Sequence, residues 1–164
     1  MLTIADKRSI IEDHQNSAPV QTVTLARALG LEVYHVKGWN DDLSGLIRRD
    51  PDKGGKSGFA IFVNGDHHRN RRRFTTAHEI AHFVLHEDQI GDGIVDDVLY
   101  RSTLSSRQEA EANRLAADIL MPWDLLNAEI DRGTTDVRKL ARMFEVSQSA
   151  MAIRLGVPAE TTQG

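Results

Sequence analysis

The stretch Arg71-Arg72-Arg73-Phe74-Thr75-Thr76-Ala77-His78-Glu79-Ile80-Ala81-His82-Phe83-Val84-Leu85-His86 carries a helical period, and within it His78-Glu79-Ile80-Ala81-His82 matches HExxH. Four residues advance a helix by about 400°, so the two imidazoles lie about 40° apart, one turn up the same face. They can share one metal ion. Glu79 sits about 100° from His78, too far round to complete the same coordination easily and well placed to touch a water on that ion. That is the position of a general base. The alternative is a pair of solvated histidines on an amphipathic helix. Against it, Ile80, Ala81, Val84 and Leu85 make the rest of the helix apolar, and buried histidines need partners that a metal supplies. The helix start has two readings. Thr76-Ala77-His78-Glu79 fits a capping box that folds Glu79 back on the backbone, whereas a cap at Asn70 leaves a full turn before His78 and frees Glu79 for chemistry. The second is preferred.

A catalytic zinc site has three protein ligands and one open position, and this chain has no cysteine to offer. The third ligand must be His, Asp or Glu. A helix expected from Ser106 to Met121, closed by Pro122, offers Glu109 and Glu111. Ala112, Ala116 and Leu120 form one stripe with Glu109 and Asn113 on it, while Glu111, Arg114 and Asp118 point to the opposite side, toward water. Glu109 is the inward carboxylate, and Asn113, one turn on, is placed to hydrogen-bond a ligand. His86 continues the face of His78 and His82 another turn away, as a neighbour of the ligands or a core residue. His67 and His68 lie in a polar loop and are expected to be solvated. Zinc fits a His₂Glu set with an open position better than manganese does.

Outward from this centre, 164 residues suffice for one domain with a sizeable core. Net charge is −4, so the chain as a whole carries no electrostatic footprint for nucleic acid or acidic membranes. No apolar run approaches the roughly 20 residues that span a bilayer, and Met1 to Asp13 is too charged for a signal peptide. A cytoplasmic location is expected. Ile4 to His14 and Val23 to Leu29, ended by Gly30, read as helices. Glu32 to Val36, Leu43 to Arg48 and Gly58 to Val63 read as strands of a small, mostly antiparallel sheet. Asp88 to Asp97 reads as loop, and a short helix follows to Arg132. Helices, then sheet, then helices indicate an α+β fold.

Arg73 to His86, followed by Glu109-Ala110-Glu111-Ala112-Asn113-Arg114-Leu115-Ala116-Ala117-Asp118-Ile119-Leu120-Met121-Pro122, resembles the two signature blocks of the ImmA/IrrE metallopeptidases. Ala60-Ile61-Phe62-Val63-Asn64 resembles that family's strand before the active-site helix. The match covers roughly residues 58 to 156. The resemblance implies a thermolysin-like zincin core, with His78 and His82 as ligands, Glu79 as base and Glu109 as the third ligand, in agreement with the stripe argument. Leu115 stands where the family often has Phe. A metzincin would need Gly at position 85 and His at position 88, where this chain has Leu85 and Asp88. Family members typically cleave, or promote cleavage of, Xre-type transcriptional repressors, often in stress responses or toxin and antitoxin pairs. That partner class is implied by the resemblance alone.

Residues 1–133 are expected to form the zincin-like core, and residues 134–164 a helix-turn-helix-like module packed on it. In Lys139 to Met151, Ser147 caps the second helix. Gln148 and Arg154 are the obvious side chains for reading bases, whereas Ala150, Met151, Ile153 and Leu155 suit packing, so support or partner docking is favoured over DNA reading. The run Arg69, Arg71, Arg72, Arg73 reads as a solvated or ion-paired helix start. The expected function is a zinc-dependent endopeptidase acting on a specific protein. The rival is a toxin or regulatory module that keeps the metal structurally and binds a repressor or nucleic acid. A third is amide hydrolysis on a non-peptide substrate. Tyr100 and His86 are candidates to stabilise an oxyanion, and a substrate is expected to lie extended along Gly58 to Val63.

Overall fold

Phe59–Asn64 is a run of six residues buried on both faces, a pattern that belongs in the middle of a sheet. In the computed structural model, which describes residues 1–91, 93–97 and 104–158, this strand is β3 and has a neighbour on each side. β1 (Leu31–Val36) pairs with it in parallel and β2 (Leu43–Arg49) antiparallel, while β4 (Ile94–Asp97) pairs antiparallel with β2. The order is β1-β3-β2-β4. The sheet is thus mixed, with two antiparallel pairings and one parallel. Two expectations need correction. β4 lies in the stretch read as loop, because four residues behind Gly93 are too few to display an alternating pattern. And β3 is not an edge: both its hydrogen-bonding sides are taken, so no substrate strand can add along Gly58 to Val63.

The helices are α1 (Ile4–Asp13), α2 (Thr22–Ala28), α3 (Arg69–His86), α4 (Ser106–Leu120), α5 (Trp123–Asp131), α6 (Val137–Phe144) and α7 (Gln148–Leu155). The fold is α+β. Capping boxes at Thr3 with Asp6 and at Ser105 with Gln108 start α1 and α4. The cap of α3 is His68, whose Nδ1 accepts the Asn70 N–H at 3.1 Å, rather than Asn70 itself. The Asn70 amide instead donates to the Val146 carbonyl at 3.3 Å. Thr76 donates its hydroxyl to the Arg72 carbonyl at 2.8 Å, so no capping box forms there and Glu79 is not drawn back to the backbone. None of the described helices is long and apolar enough to cross a membrane.

α3 packs over β2 and β3 on one side and along α4 on the other. Phe59, Ile61 and Val63 face it, with the rings of Phe59 and Phe83 edge-on at 5.6 Å. The opposite face is covered differently: Tyr34 stacks on Phe62 at 5.2 Å, and the Arg48 guanidinium lies 4.6 Å from the Phe62 ring centre. At the amino end, buried Lys7 of α1 donates to the Phe83 carbonyl at 3.0 Å and pairs with Glu87. At the carboxyl end of the chain, Leu140, Phe144, Val146 and Met151 of α6, α7 and their turn join the same buried cluster as Leu25, Ile80 and Ile119.

Arg73 ties these parts together. It is 8% exposed and donates to the carbonyls of Val20, Glu145 and Phe144 at 2.9, 3.1 and 3.3 Å. Of the two readings of the arginine run, solvated or ion-paired, Arg73 takes the second: the turn between α6 and α7 covers it, and its Nε lies 3.5 Å from Glu145 Oε2. Glu145, in the left-handed region at φ 52°, also pairs with Arg69 at 3.1 Å. In α7, Arg154 donates to the Met121 carbonyl at 3.0 Å and to Asp118 at 2.8 Å, and is not free to read bases. Ile153, expected to pack, is 80% exposed.

Gly45 of β2 marks the closest approach of sheet and helix. A Cβ there would lie 2.6 Å from Thr75 Cγ2, 3.0 Å from the Phe62 carbonyl oxygen and 3.8 Å from Glu79 Cγ. Gly45→Ala should therefore push α3 outward and destabilise the fold by about 1–3 kcal/mol, the usual cost of overpacking. Urea unfolding reads this directly, and a loss below about 0.5 kcal/mol would mean that the helix has room to give.

Candidate metal centre

α3 carries His78 and His82 one turn apart, and their rings sit 4.5 Å apart at 88°. α4, packed alongside, brings Glu109 between them: its Oε1 lies 2.8 Å from His82 Nε2 and its Oε2 lies 3.5 Å from His78 Nε2. Asn113, one turn further along α4, faces His78 Nδ1 with its amide oxygen at 2.8 Å. An amide oxygen only accepts, so His78 Nδ1 carries a proton and its Nε2 faces the centre. His82 Nδ1 lies 3.1 Å from His86 Nδ1. One ligand atom each from His78, Glu79 and His82 falls within 4.8 Å of the others.

The electrostatics follow from burial and these contacts. Burial opposes the charged form of Glu109, yet the hydrogen bonds from His78 and His82 outweigh it and hold the carboxyl well below the usual carboxylate range. Burial pushes His82 down from its ordinary value, and the bond to Glu109 offsets this only in part. Glu79 is 0% exposed, and neither of its carboxylate oxygens has a hydrogen-bond partner among the described residues. An isolated buried carboxylate costs several kcal/mol or more, so a cation or a water at the shared centre is the natural complement. Two imidazole nitrogens, one charged carboxylate and a second, unpartnered carboxylate suit a divalent ion of the zinc type.

The structure brings His78, Glu79, His82, Glu109 and Asn113 together. Other expectations change. Glu111 does not simply point to water: its Oε1 lies 3.6 Å from His86 Nε2, with the side chain 42% exposed. His86 is buried, and its two nitrogens face His82 and Glu111, so it has none to offer an oxyanion. Tyr100 lies outside the described residues. His67 is buried rather than solvated, its Nε2 lying 2.8 Å from the Asp41 carbonyl oxygen and 3.2 Å from the Asn64 amide. The link from His86 to Glu111 escaped sequence reasoning. The four-residue step from His82 to His86 was its only trace.

The model of the IrrE N-terminal-like domain, Peptidase_M78, matches residues 44–156. Among solved structures, the chain is similar to a Mycobacterium tuberculosis transcriptional regulator, with a TM-score of 0.58 and 19% sequence identity, over 94% of this chain and 46% of that one. At that identity the likeness is one of fold, and the chain spans less than half the length of that protein. No curated protein matches the sequence.

The lowered His82 value fixes the sign of a pH effect. An unfolded chain takes up a proton near the ordinary value of 6.5, which folded His82 refuses, so this contribution to stability is whole above 6.5 and lost as pH falls toward the folded value. Glu109 adds a second loss below its ordinary 4.5, as pH falls through its depressed folded value. In chelator, the unfolding free energy should hold steady from about pH 8 to 7 and then decline on acidification, with a shallower decline for His82→Gln. Stability that rises on acidification would reverse the assignment.

Proposed function

The chain belongs to the IrrE N-terminal-like, Peptidase_M78 family, and from that membership we propose that it is a zinc-dependent endopeptidase with His78, His82 and Glu109 as ligands and Glu79 as general base. The carrying observation is the convergence of the Glu109 carboxylate on both Nε2 atoms, at 2.8 and 3.5 Å, beside a buried Glu79 with no hydrogen-bond partner among the described residues. Bound there, zinc supplies Lewis acidity to the scissile carbonyl and brings the pKa of a coordinated water toward 7.

The chain's own residues do the rest. Asn113 holds His78 in the tautomer that presents Nε2. Glu79 accepts the proton of the attacking water and returns it to the leaving amine nitrogen. Its burial raises the cost of holding charge without a partner, which favours its acting as a proton carrier rather than a solvated anion. Substrate lies extended along β4, which among the described residues pairs only with β2 and leaves a backbone edge for main-chain hydrogen bonds.

The substrate we propose is a protein, an Xre-type transcriptional repressor or an antitoxin, on the strength of the family resemblance. We place the reaction in the cytoplasm. Sequence-specific DNA binding is not part of this reading, since Arg154 is engaged by Met121 and Asp118 and leaves Gln148 alone among the base-reading candidates. Retention of a specific duplex with a steep salt dependence would restore the rival reading of a binding module.

Two variants separate the roles. Glu79→Gln should keep stoichiometric zinc while cleavage of the partner falls by a factor on the order of 10² or more. Glu109→Ala should lose zinc affinity and turnover together. Zinc titration beside a cleavage assay, with and without chelator, checks both. Loss of metal by the first variant with retention by the second would exchange the two glutamates.

A further inference from the structure

We propose that His86 and Glu111 form a positioning chain that fixes His82 in the tautomer able to bind metal. The inference rests on the zinc reading of the centre. Two imidazole nitrogens, His82 Nδ1 and His86 Nδ1, face each other at 3.1 Å, and a hydrogen bond between them needs one proton and one lone pair. If His82 donates, its proton is on Nδ1 and its Nε2 lone pair is open to an ion that Glu109 Oε1, 2.8 Å from that nitrogen, can share; without an ion Glu109 itself favours a proton on Nε2, and His86 with Glu111 acts against it. If His86 donates, a neutral His82 carries its proton on Nε2 and is lost as a ligand. The geometry between the rings does not distinguish these states.

Glu111 does. A carboxylate only accepts, and its Oε1 lies 3.6 Å from His86 Nε2. It favours the proton of His86 on Nε2, which leaves Nδ1 as the acceptor and, with an ion between His82 Nε2 and Glu109, assigns the shared proton to His82. His78 reaches the same state by a separate route, through the amide oxygen of Asn113 at 2.8 Å. Both imidazoles are thus set with Nε2 toward the centre, one by an amide and the other by a histidine backed by a carboxylate. His86 is 5% exposed, whereas the Glu111 side chain is 42% exposed, so His86 carries the larger share and Glu111 a smaller, solvent-screened one.

The test measures zinc affinity by competition with a chromogenic chelator for the wild type, His86→Leu, His86→Gln and Glu111→Ala, with thermal unfolding in parallel. His86→Leu fills the space without an acceptor and should weaken zinc about 10- to 100-fold, the range for outer partners of metal ligands. His86→Gln offers an amide oxygen to His82 Nδ1–H and should recover part of that loss. Glu111→Ala should fall between Leu and wild type. Nitrogen-15 imidazole spectra of the zinc-loaded wild type should place the protons on His82 Nδ1 and His86 Nε2. A merely structural His86 would lower the melting temperature of His86→Leu and leave its zinc affinity at the wild-type value, which overturns the proposal, as does a proton found on His86 Nδ1. A wild type that binds no zinc fails differently, by removing the metal centre and the positioning chain together.

Discussion

α3 is buried along most of its length, yet Arg73, His78, Glu79, His82 and His86, all ionisable, are among its twelve buried residues. A helix of that composition is stable inside a protein only if the surrounding elements are placed to meet its polar groups. They are. Arg73 finds the carbonyls of Val20, Phe144 and Glu145, His78 finds Asn113 and Glu109, and His82 finds Glu109 and His86. The segment before α2, the helix α4 and the turn between α6 and α7 take their positions from what this one helix needs.

Glu79 is the exception, and its position is instructive. Its Cγ lies 3.8 Å from where a Cβ on Gly45 would stand, and no hydrogen-bond donor among the described residues reaches its carboxylate. Stability is given up at this point, as proteins commonly do where a group is kept ready for chemistry rather than satisfied. Since the proposed ligands and base all stand on helices, their separations are set by packed backbone rather than by loops. That arrangement favours precise spacing at the centre.

What the sequence disclosed follows the same division. The angle between His78 and His82, the offset of Glu79 and the alanine stripe that separates Glu109 from Glu111 are properties of one helix at a time, and periodicity reports them. The contact of Glu111 with His86 depends on how α4 lies against α3, which no single-helix pattern contains. Gly58 to Val63 reads as a strand, close to the observed Phe59–Asn64, but its place between β1 and β2 depends on a parallel pairing with residues about thirty positions earlier. Arg73 looked like its exposed neighbours because the turn that buries it lies over seventy positions away. His67, which reads as solvated, is buried for the same reason, its covering carbonyl coming from Asp41.

The tie between Arg73 and the turn at Glu145 bears on how the chain could be dissected. A fragment ending at Gly133 would leave the Arg73 guanidinium with the Val20 carbonyl alone and uncover the cluster that Leu140, Phe144 and Met151 now close. The last two helices thus close the same buried cluster that the HExxH helix contributes to. Any swap of this segment between related chains would have to carry the residues opposite Arg73 along with it.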